Sequence, residues 1–359
     1  MIRVYMQYPL GISDSQYYKS MIENPPEGIQ YENKIKRIGM IHNEKRFFLF
    51  NFLKNKIRTW TSKLDTVIPN AHKTPSGDYD IIHCGHCLSK NQSPHVIDVE
   101  SVWQFWISGR GREEVLKYLI NNNCKKIIAW TEATKQDIIK QFPEVEDKIE
   151  VVYYAMPWTN RETKKSRVTT LFFSGRHFYA KGGLHATEAM DRLTKKYPNV
   201  RGVINGVIPK EIIEKYSDNK KLEFHGLMPH EDILKLYEAA DIFIYPGYSD
   251  SFGFVFVEAM AFGLPIITVD GYARKEIVGE SGIIIERPSE LDIKKIEESV
   301  IANIVDETST LIENKKLLMD MSEECKLNIS KGKFSIEERN SKLSRIYRDV
   351  VKDKPYKER

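Results

Sequence analysis

Along the chain, short apolar runs alternate with longer stretches whose apolar positions recur at helical spacing. This is the pattern of a parallel sheet with crossover helices. In the first half the apolar runs predict strands at 2–6, 79–83, 95–99, 126–130 and 149–154, and the periodic stretches predict helices such as 111–121 and 134–141. Thr131, just before Glu132, is placed to cap the second of these helices. A polar stretch without periodicity follows and reads as a linker over 156–169. The rhythm then restarts, with strands at 170–174, 200–204, 222–224, 242–245, 265–269 and 282–285. Helices are predicted between them at 182–197, 209–216, 230–239 and 254–262, the last stopped by Gly263 and Pro265. An exposed segment is expected at 270–277, and two tail helices near 290–314 and 336–351.

The fold class that follows is α/β, with two Rossmann-like parallel-sheet domains facing a central cleft. The length of 359 residues suits two domains, each large enough to bury a core. Composition changes this picture little. Hydrophobic residues make up 41% and charged residues 29%, ordinary for a water-soluble chain, and no apolar run approaches the ~18 residues of a membrane-spanning helix. The N-terminal stretch MIRVYMQYPLGISDS lacks the apolar run of a signal peptide, so a cytoplasmic protein is expected.

Charge adds one feature. The net charge is +4, from 54 basic and 50 acidic residues, a balance that does not suggest nucleic acid. Residues 33–63, however, hold nine Lys or Arg against the single acid Glu44, and the part from 45 to 63 interleaves them with Phe47, Phe48, Phe50, Phe52 and Trp60. Such a segment can lie peripherally on an anionic membrane surface, or form a packed helix with a solvated basic face.

The four cysteines are Cys84, Cys87, Cys124 and Cys325, too few for a disulfide framework. Cys84 and Cys87 form a lone CxxC without a second pair, and Leu88 stands where haem attachment would need His. No metal site is expected. The pair reads as a strand end turning into a loop, and His83, His86 and His177 as structural or surface residues.

Candidate chemistry gathers at two strand-to-helix junctions. In PGYSDSFGFVFVEAMAFGLP (246–265), a loop with Gly247 and Gly253 runs into a helix whose free N–H groups and dipole can hold an anion. Gly253 lets backbone approach a ligand. Asp250 and Glu258 frame the turn; carboxylates there accept hydrogen bonds from hydroxyls, as a sugar or ribose offers. In FFSGRHFYAKGG (172–183), Arg176 and Lys181 are placed to clamp a pyrophosphate from two directions. No GxxxxGK[ST] and no strand-following GxGxxG is present, which argues against P-loop and dinucleotide readings. Singly, each residue has an ordinary structural reading: a solvated turn residue, a helix cap, a helix carboxylate.

At these residues the chain resembles the retaining glycosyltransferases of family 4, which have the GT-B fold. The match runs through the Gly175–Arg176…Lys181–Gly182 loop, the stretch LEFHGLMPHEDILKLYEAADIFIYP with Gly226, and the acid-x₇-acid block from Asp250 to Glu258 followed by AMAFGLPII. The tail KFSIEERNSKLSRIY looks like the family's final helices. The resemblance implies an acceptor-side domain over 1–155, a nucleotide-sugar domain over 170–335, and a C-terminal helix over 336–359 returning to the first.

It also implies roles. Arg176 and Lys181 would neutralise the departing diphosphate, Glu258 would hold the ribose, and Asp250 would hold hydroxyls of the transferred sugar. Backbone around Ser251, Phe252, Gly253 and Phe254, with Gly175, Gly206 and Gly226, would line the donor. The activity implied is transfer from a UDP- or GDP-sugar, with retention, to a hydroxyl of a glycan, lipid-linked or small acceptor, with no cofactor required. Three departures stand out. The first acid is usually Glu and here is Asp250. Gly11 alone replaces a Gly-Gly loop. The position of a family His falls in DVES, which makes Asp98 or Glu100 the acceptor-side candidate. The alternatives are a GT-B sugar epimerase, or a non-catalytic nucleotide- or glycan-binding protein on the same fold.

Overall fold

The computed structural model describes residues 1–7, 16–32, 52, 56, 59, 67–159 and 168–352. Gly11, the basic window apart from residues 52, 56 and 59, and most of the expected linker (160–167) lie outside them. The chain divides into two compact units: one reaches Ala155 and resumes at Ile336, and the other holds Met156–Ser335.

The first unit is built on β1 (Ile2–Gln7), β2 (Ile29–Tyr31), β5 (Ile81–Gly85), β7 (His95–Val99), β9 (Cys124–Ala129) and β10 (Ile149–Val151), with short pieces β3 (Ile68–Pro69), β4 (Ala71–His72), β6 (Leu88–Ser89) and β8 (Trp106–Ser108) beside them. The six main strands are parallel, in the order β10-β9-β7-β5-β1-β2. Every residue of β5 and β7 is buried, as expected for strands covered on both faces. Ile82, Ile97, Ile127, Phe105, Leu119 and Phe142 share one apolar core. Thr131 caps the helix Glu132–Gln141 by accepting from the Thr134 N–H at 2.9 Å.

The last helix, Ile336–Lys352, belongs to this unit. Its Arg339 is buried and donates to Ser20 Oγ at 2.8 Å and Asn24 O at 2.6 Å, tying it to the helix Gln16–Glu23. That earlier helix has no counterpart in the sequence reading. Its buried face is Tyr17, Tyr18 and Met21, a short (i, i+1, i+4) signal inside a polar context.

The second unit is a sheet of β11 (Thr169–Gly175), β12 (Val200–Gly206), β13 (Leu222–His225), β14 (Ile242–Ile244), β15 (Ile266–Val269) and β16 (Gly282–Ile285). All pairings are parallel, in the order β13-β12-β11-β14-β15-β16. The strand order reverses between β11 and β14, and in such sheets ligands bind outside the carboxyl ends at that reversal. The helix Phe254–Ala261 ends as its sequence predicts: Gly263 takes φ 67°, and its N–H and that of Leu264 return to Met260 O and Ala259 O.

Three expectations need correction here. The segment 270–277 is not simply exposed; it folds into the helix Arg274–Val278, with Arg274 and Ile277 buried. The first tail helix begins only at Glu298, and a further helix, Lys315–Ser330, follows it. That helix is polar by sequence, yet it buries Cys325 and Ile329 and donates from Ser322 Oγ to Gly263 O at 2.7 Å.

β11 and β12 run in register to their ends, where Gly175 faces Gly206. Gly206 has φ 150°, and a Cβ built there would sit 2.2 Å from Gly175 O. Because that neighbour is backbone, it cannot rotate away. Gly206→Ala is therefore expected to destabilise the second unit by about 2 kcal/mol or more, read as a lower urea midpoint.

Candidate functional site

The turn after β11 carries Arg176 and Lys181. It closes by Lys181 N–H to His177 O at 2.9 Å and Gly183 N–H to Phe178 O at 2.8 Å. Gly182 has φ 81°, and a Cβ there would meet Pro246 Cβ at 2.5 Å. This glycine lets the turn lie directly on the loop after β14, and Gly247 N–H then donates to Lys181 O at 3.0 Å.

The two sequence motifs therefore meet. The Lys181 ammonium forms an ion pair with Asp250 Oδ1 and lies 3.4 Å from Ser249 O. The other oxygen of Asp250 accepts from Tyr245 Oη at 2.6 Å. Burial, and then the charge of Asp250, push the Tyr245 hydroxyl well above its ordinary pKa, so it stays a donor. Lys181 and Asp250 are each 17% exposed, so the pair is shielded but reachable.

Gly253, at φ 82°, opens the helix Phe254–Ala261, and no side chain caps it. Phe252 is buried, Ser251 and Phe254 are half-buried, and the two phenyl rings lie 5.3 Å apart. Glu258 is buried one turn further on, its Oε1 2.9 Å from Nε2 of His230, the first residue of the helix His230–Ala239. Arg176 is half-buried just beyond β11. Gly175 packs so closely on Lys181 that a Cβ there would lie 2.8 Å from Lys181 Cβ. Gly226 is exposed after β13, and its carbonyl accepts from Asn205 Nδ2 at 2.8 Å.

In the first unit the acceptor-side candidates separate. Asp98 is fully buried and accepts from Tyr18 Oη at 2.7 Å and from the His86 N–H at 3.1 Å; its second oxygen is 2.9 Å from His83 Nε2. The opposite nitrogen of His83 is 2.6 Å from Tyr347 Oη, so a buried chain runs from Asp98 to the last helix. Both oxygens of Asp98 are thus engaged within the fold, and its side chain has no exposed surface. Glu100 keeps 26% exposure, with Oε2 3.5 Å from Nε2 of His86. His86 takes φ 54°, uncommon for a side chain-bearing residue, and its ring lies 4.8 Å from that of Trp130.

Cys84 and Cys87 are buried free thiols at the end of β5 and the turn after it. Burial pushes the Cys84 thiol well up and that of Cys124 to about 12, which leaves both protonated and unreactive. Among the described residues no three His, Cys, Asp or Glu side chains could hold a metal ion together. No helix of the described residues is long and apolar enough to cross a membrane.

Tyr245, His230 and Arg274 were not singled out by sequence. Tyr245 and Arg274 bond within their own loops, to Asp250 and Gly271, while His230 meets Glu258 28 residues away on another helix.

Residues 157–324 match the family model described as glycosyl transferases group 1. An uncharacterized glycosyltransferase of Methanocaldococcus jannaschii is 24% identical over 234 residues, 56% of this chain and 60% of its own length. A D-inositol 3-phosphate glycosyltransferase of Corynebacterium kroppenstedtii is 28% identical over 195 residues, 46% of this chain and 43% of its own. The chain thus spans roughly half the length of the curated relatives it matches. Among solved structures, HepE of Anabaena in complex with UDP superposes with a TM-score of 0.64 at 15% identity, over 97% of this chain and all of that one. The fold is GT-B, two parallel-sheet α/β units, and over residues 157–324 the chain is similar to the group 1 glycosyl transferases.

Proposed function

We propose that this protein is a glycosyltransferase that takes its sugar from a UDP- or GDP-sugar bound by the second unit and passes it, with retention, to a hydroxyl of a glycan, lipid-linked or small acceptor. The observation that carries this reading is the Lys181–Asp250 pair, set at the carboxyl ends of β11 and β14 beside an uncapped helix start. A sheet reversal, a cation at its edge and a helix dipole together suit a diphosphate. Without donor, Asp250 neutralises Lys181. A diphosphate would draw Lys181 away and free the carboxylate to accept hydroxyls of the sugar. Arg176 would take the second side of the diphosphate, and Glu258, already oriented by His230, the ribose. The anomeric carbon–oxygen bond then breaks toward the diphosphate, the acceptor oxygen bonds to that carbon, and its proton leaves with the phosphate. Catalysis of this kind is mostly positioning and charge stabilisation. Glu100 beside His86 is the group in the first unit suited to orient an acceptor hydroxyl. The basic segment 33–63 suits an acceptor at an anionic membrane surface.

The test is a thermal-shift series with UDP, GDP, ADP and their sugar conjugates. A ligand at a hundred times its Kd stabilises the native state by about 2.7 kcal/mol. One nucleotide should raise the melting temperature, and Arg176→Ala should remove that rise. If none of them does so, the donor reading is wrong. Stabilisation without transfer to any acceptor would favour a binding protein on the same fold.

A further inference from the structure

A second cationic group, Arg274, lies within electrostatic reach of Asp250. Arg274 is 2% exposed. Its Nη1 donates to Gly271 O at 2.8 Å, but Nε and Nη2 have no hydrogen-bond partner. Those two nitrogens form one edge of the guanidinium, the edge whose paired N–H groups match the two oxygens of a carboxylate. Arg287, exposed after β16, joins it: a Cβ built on Gly271 would lie 2.8 Å from Arg274 Nη1 and 3.6 Å from Arg287 Nη1. Arg287 also reaches Tyr248 O at 3.5 Å.

Two guanidinia therefore meet at the carboxyl ends of β15 and β16, and among the described residues neither has a carboxylate within ion-pair distance. The nearby acids are committed elsewhere, Asp250 to Lys181 and Tyr245, and Asp270 to Lys275 at 2.7 Å. Burial lowers the pKa of Arg274, and the nearby charge of Asp250 offsets part of that effect without a direct ion pair. A buried donor pair left unmade costs roughly 1–3 kcal/mol, more when charged, so it calls for a ligand.

We propose that Arg274, with Arg287 at its rim, receives a carboxylate on the transferred sugar, so that the donor is a nucleoside-diphosphate uronic acid. This rests on the donor-site reading above and extends it from the diphosphate to the sugar. The local sequence makes room for it. Gly247, at φ 65°, puts no side chain against that edge; a Cβ there would stand 3.1 Å from Arg274 Nη2. A neutral hexose would leave both N–H groups unmet; a uronic acid satisfies them.

The experiment measures affinity of the full chain for UDP and GDP, for UDP-glucose and GDP-mannose, and for UDP-glucuronate and GDP-mannuronate. The chain should bind one uronate at least about ten-fold more tightly than the matching hexose conjugate. Arg274→Met should abolish that preference and leave the affinity for the bare nucleoside diphosphate within about two-fold. Replacing an unpaired buried charge by an apolar side chain of similar volume is commonly neutral or stabilising, so folding should survive. Arg287→Met, at an exposed position, should reduce the preference independently. Equal affinity for uronate and hexose conjugates in the unaltered chain overturns the proposal. So does an Arg274→Met variant that weakens the bare diphosphate as much as the uronate, which would make Arg274 a diphosphate ligand. Failure of every nucleoside diphosphate to bind overturns the donor site itself, and this inference with it.

Discussion

Lys181→Ala should lower kcat/KM by about 10²–10³-fold, the cost of removing one preorganised donor to a developing negative charge. The expectation follows from where the ammonium stands. It is held at 17% exposure against Asp250, in a turn closed by two backbone bonds and fixed on the next loop through Gly182 and Gly247. Little reorganisation separates that position from one on a diphosphate. The effect should appear in kcat as well as in donor affinity, because the charge on the leaving group grows as the glycosidic bond breaks. Lys181→Arg keeps the charge but not the compact ammonium, and should recover only part of the rate.

Asp250 supplies an internal control. Asp250→Asn removes the carboxylate that holds Lys181 in the empty site, so the bare diphosphate should bind at least as tightly while transfer falls. Measuring both variants and the double variant gives the coupling between the two residues. Steady-state turnover of Lys181→Ala equal to that of the unaltered chain would show that the diphosphate is bound elsewhere.

The largest effect on stability is expected at Asp98. Asp98→Ala removes the acceptor for Tyr18 Oη, the His86 N–H and His83 at once, and Asp98, Tyr18 and His83 are all fully buried. Breaking a buried hydrogen-bonded charge network of this kind costs about 3–5 kcal/mol. Asp98→Asn keeps an acceptor oxygen and should cost less. Tyr347→Phe removes only the far bond to His83 and should cost about 1 kcal/mol. Because the chain has two compact units, a melting curve does not say which of them a substitution loosens. Hydrogen exchange of the β5 and β7 amides reports the first unit directly. Those amides should lose protection in Asp98→Ala, while those of β11 and β12 keep theirs. Unchanged protection in β5 and β7 would mean that the His83–Asp98 chain adds nothing to the fold. The same variant should disturb acceptor use, since Asp98 fixes the His86 backbone whose ring stands beside Glu100.

The parallel sheets were legible because their strands are buried on both faces and so read as apolar runs. The strand at 95–99 matches β7 at both ends, and the helix at 230–239 matches His230–Ala239. The strand read at 79–83 starts two residues early, because Tyr79 extends the apolar pattern while the ladder begins at Ile81. Helix Lys315–Ser330 escaped because a helix buried through only Cys325 and Ile329, with Ser322 bonding to backbone, shows little apolar periodicity. Strand order was beyond the pattern altogether. Both halves read as Rossmann-like, yet the first sheet places its opening strand second from one edge, and the second places its opening strand third. Nothing in a strand's own residues states its neighbours.

The sequence by itself determined the α/β class, the strand-to-helix junctions and the residue types gathered there, because burial, glycine conformation and helix ends leave local marks. It nominated Arg176, Lys181, Asp250 and Glu258 by motif. Only the tertiary structure decided their partners. Lys181 meets Asp250 across 69 positions of chain, Glu258 meets His230 across 28, and Asp98 is fully buried while Glu100, two residues on, is half-buried. Arg274 is the sharpest case: in the sequence it is one more charged residue in an apparently exposed stretch. Its burial, its two unmet N–H groups and its distance from any free carboxylate are set by strand ends that approach only once the sheet has formed. Electrostatic partnership depends on separation in space, and sequence spacing constrains that only within an element.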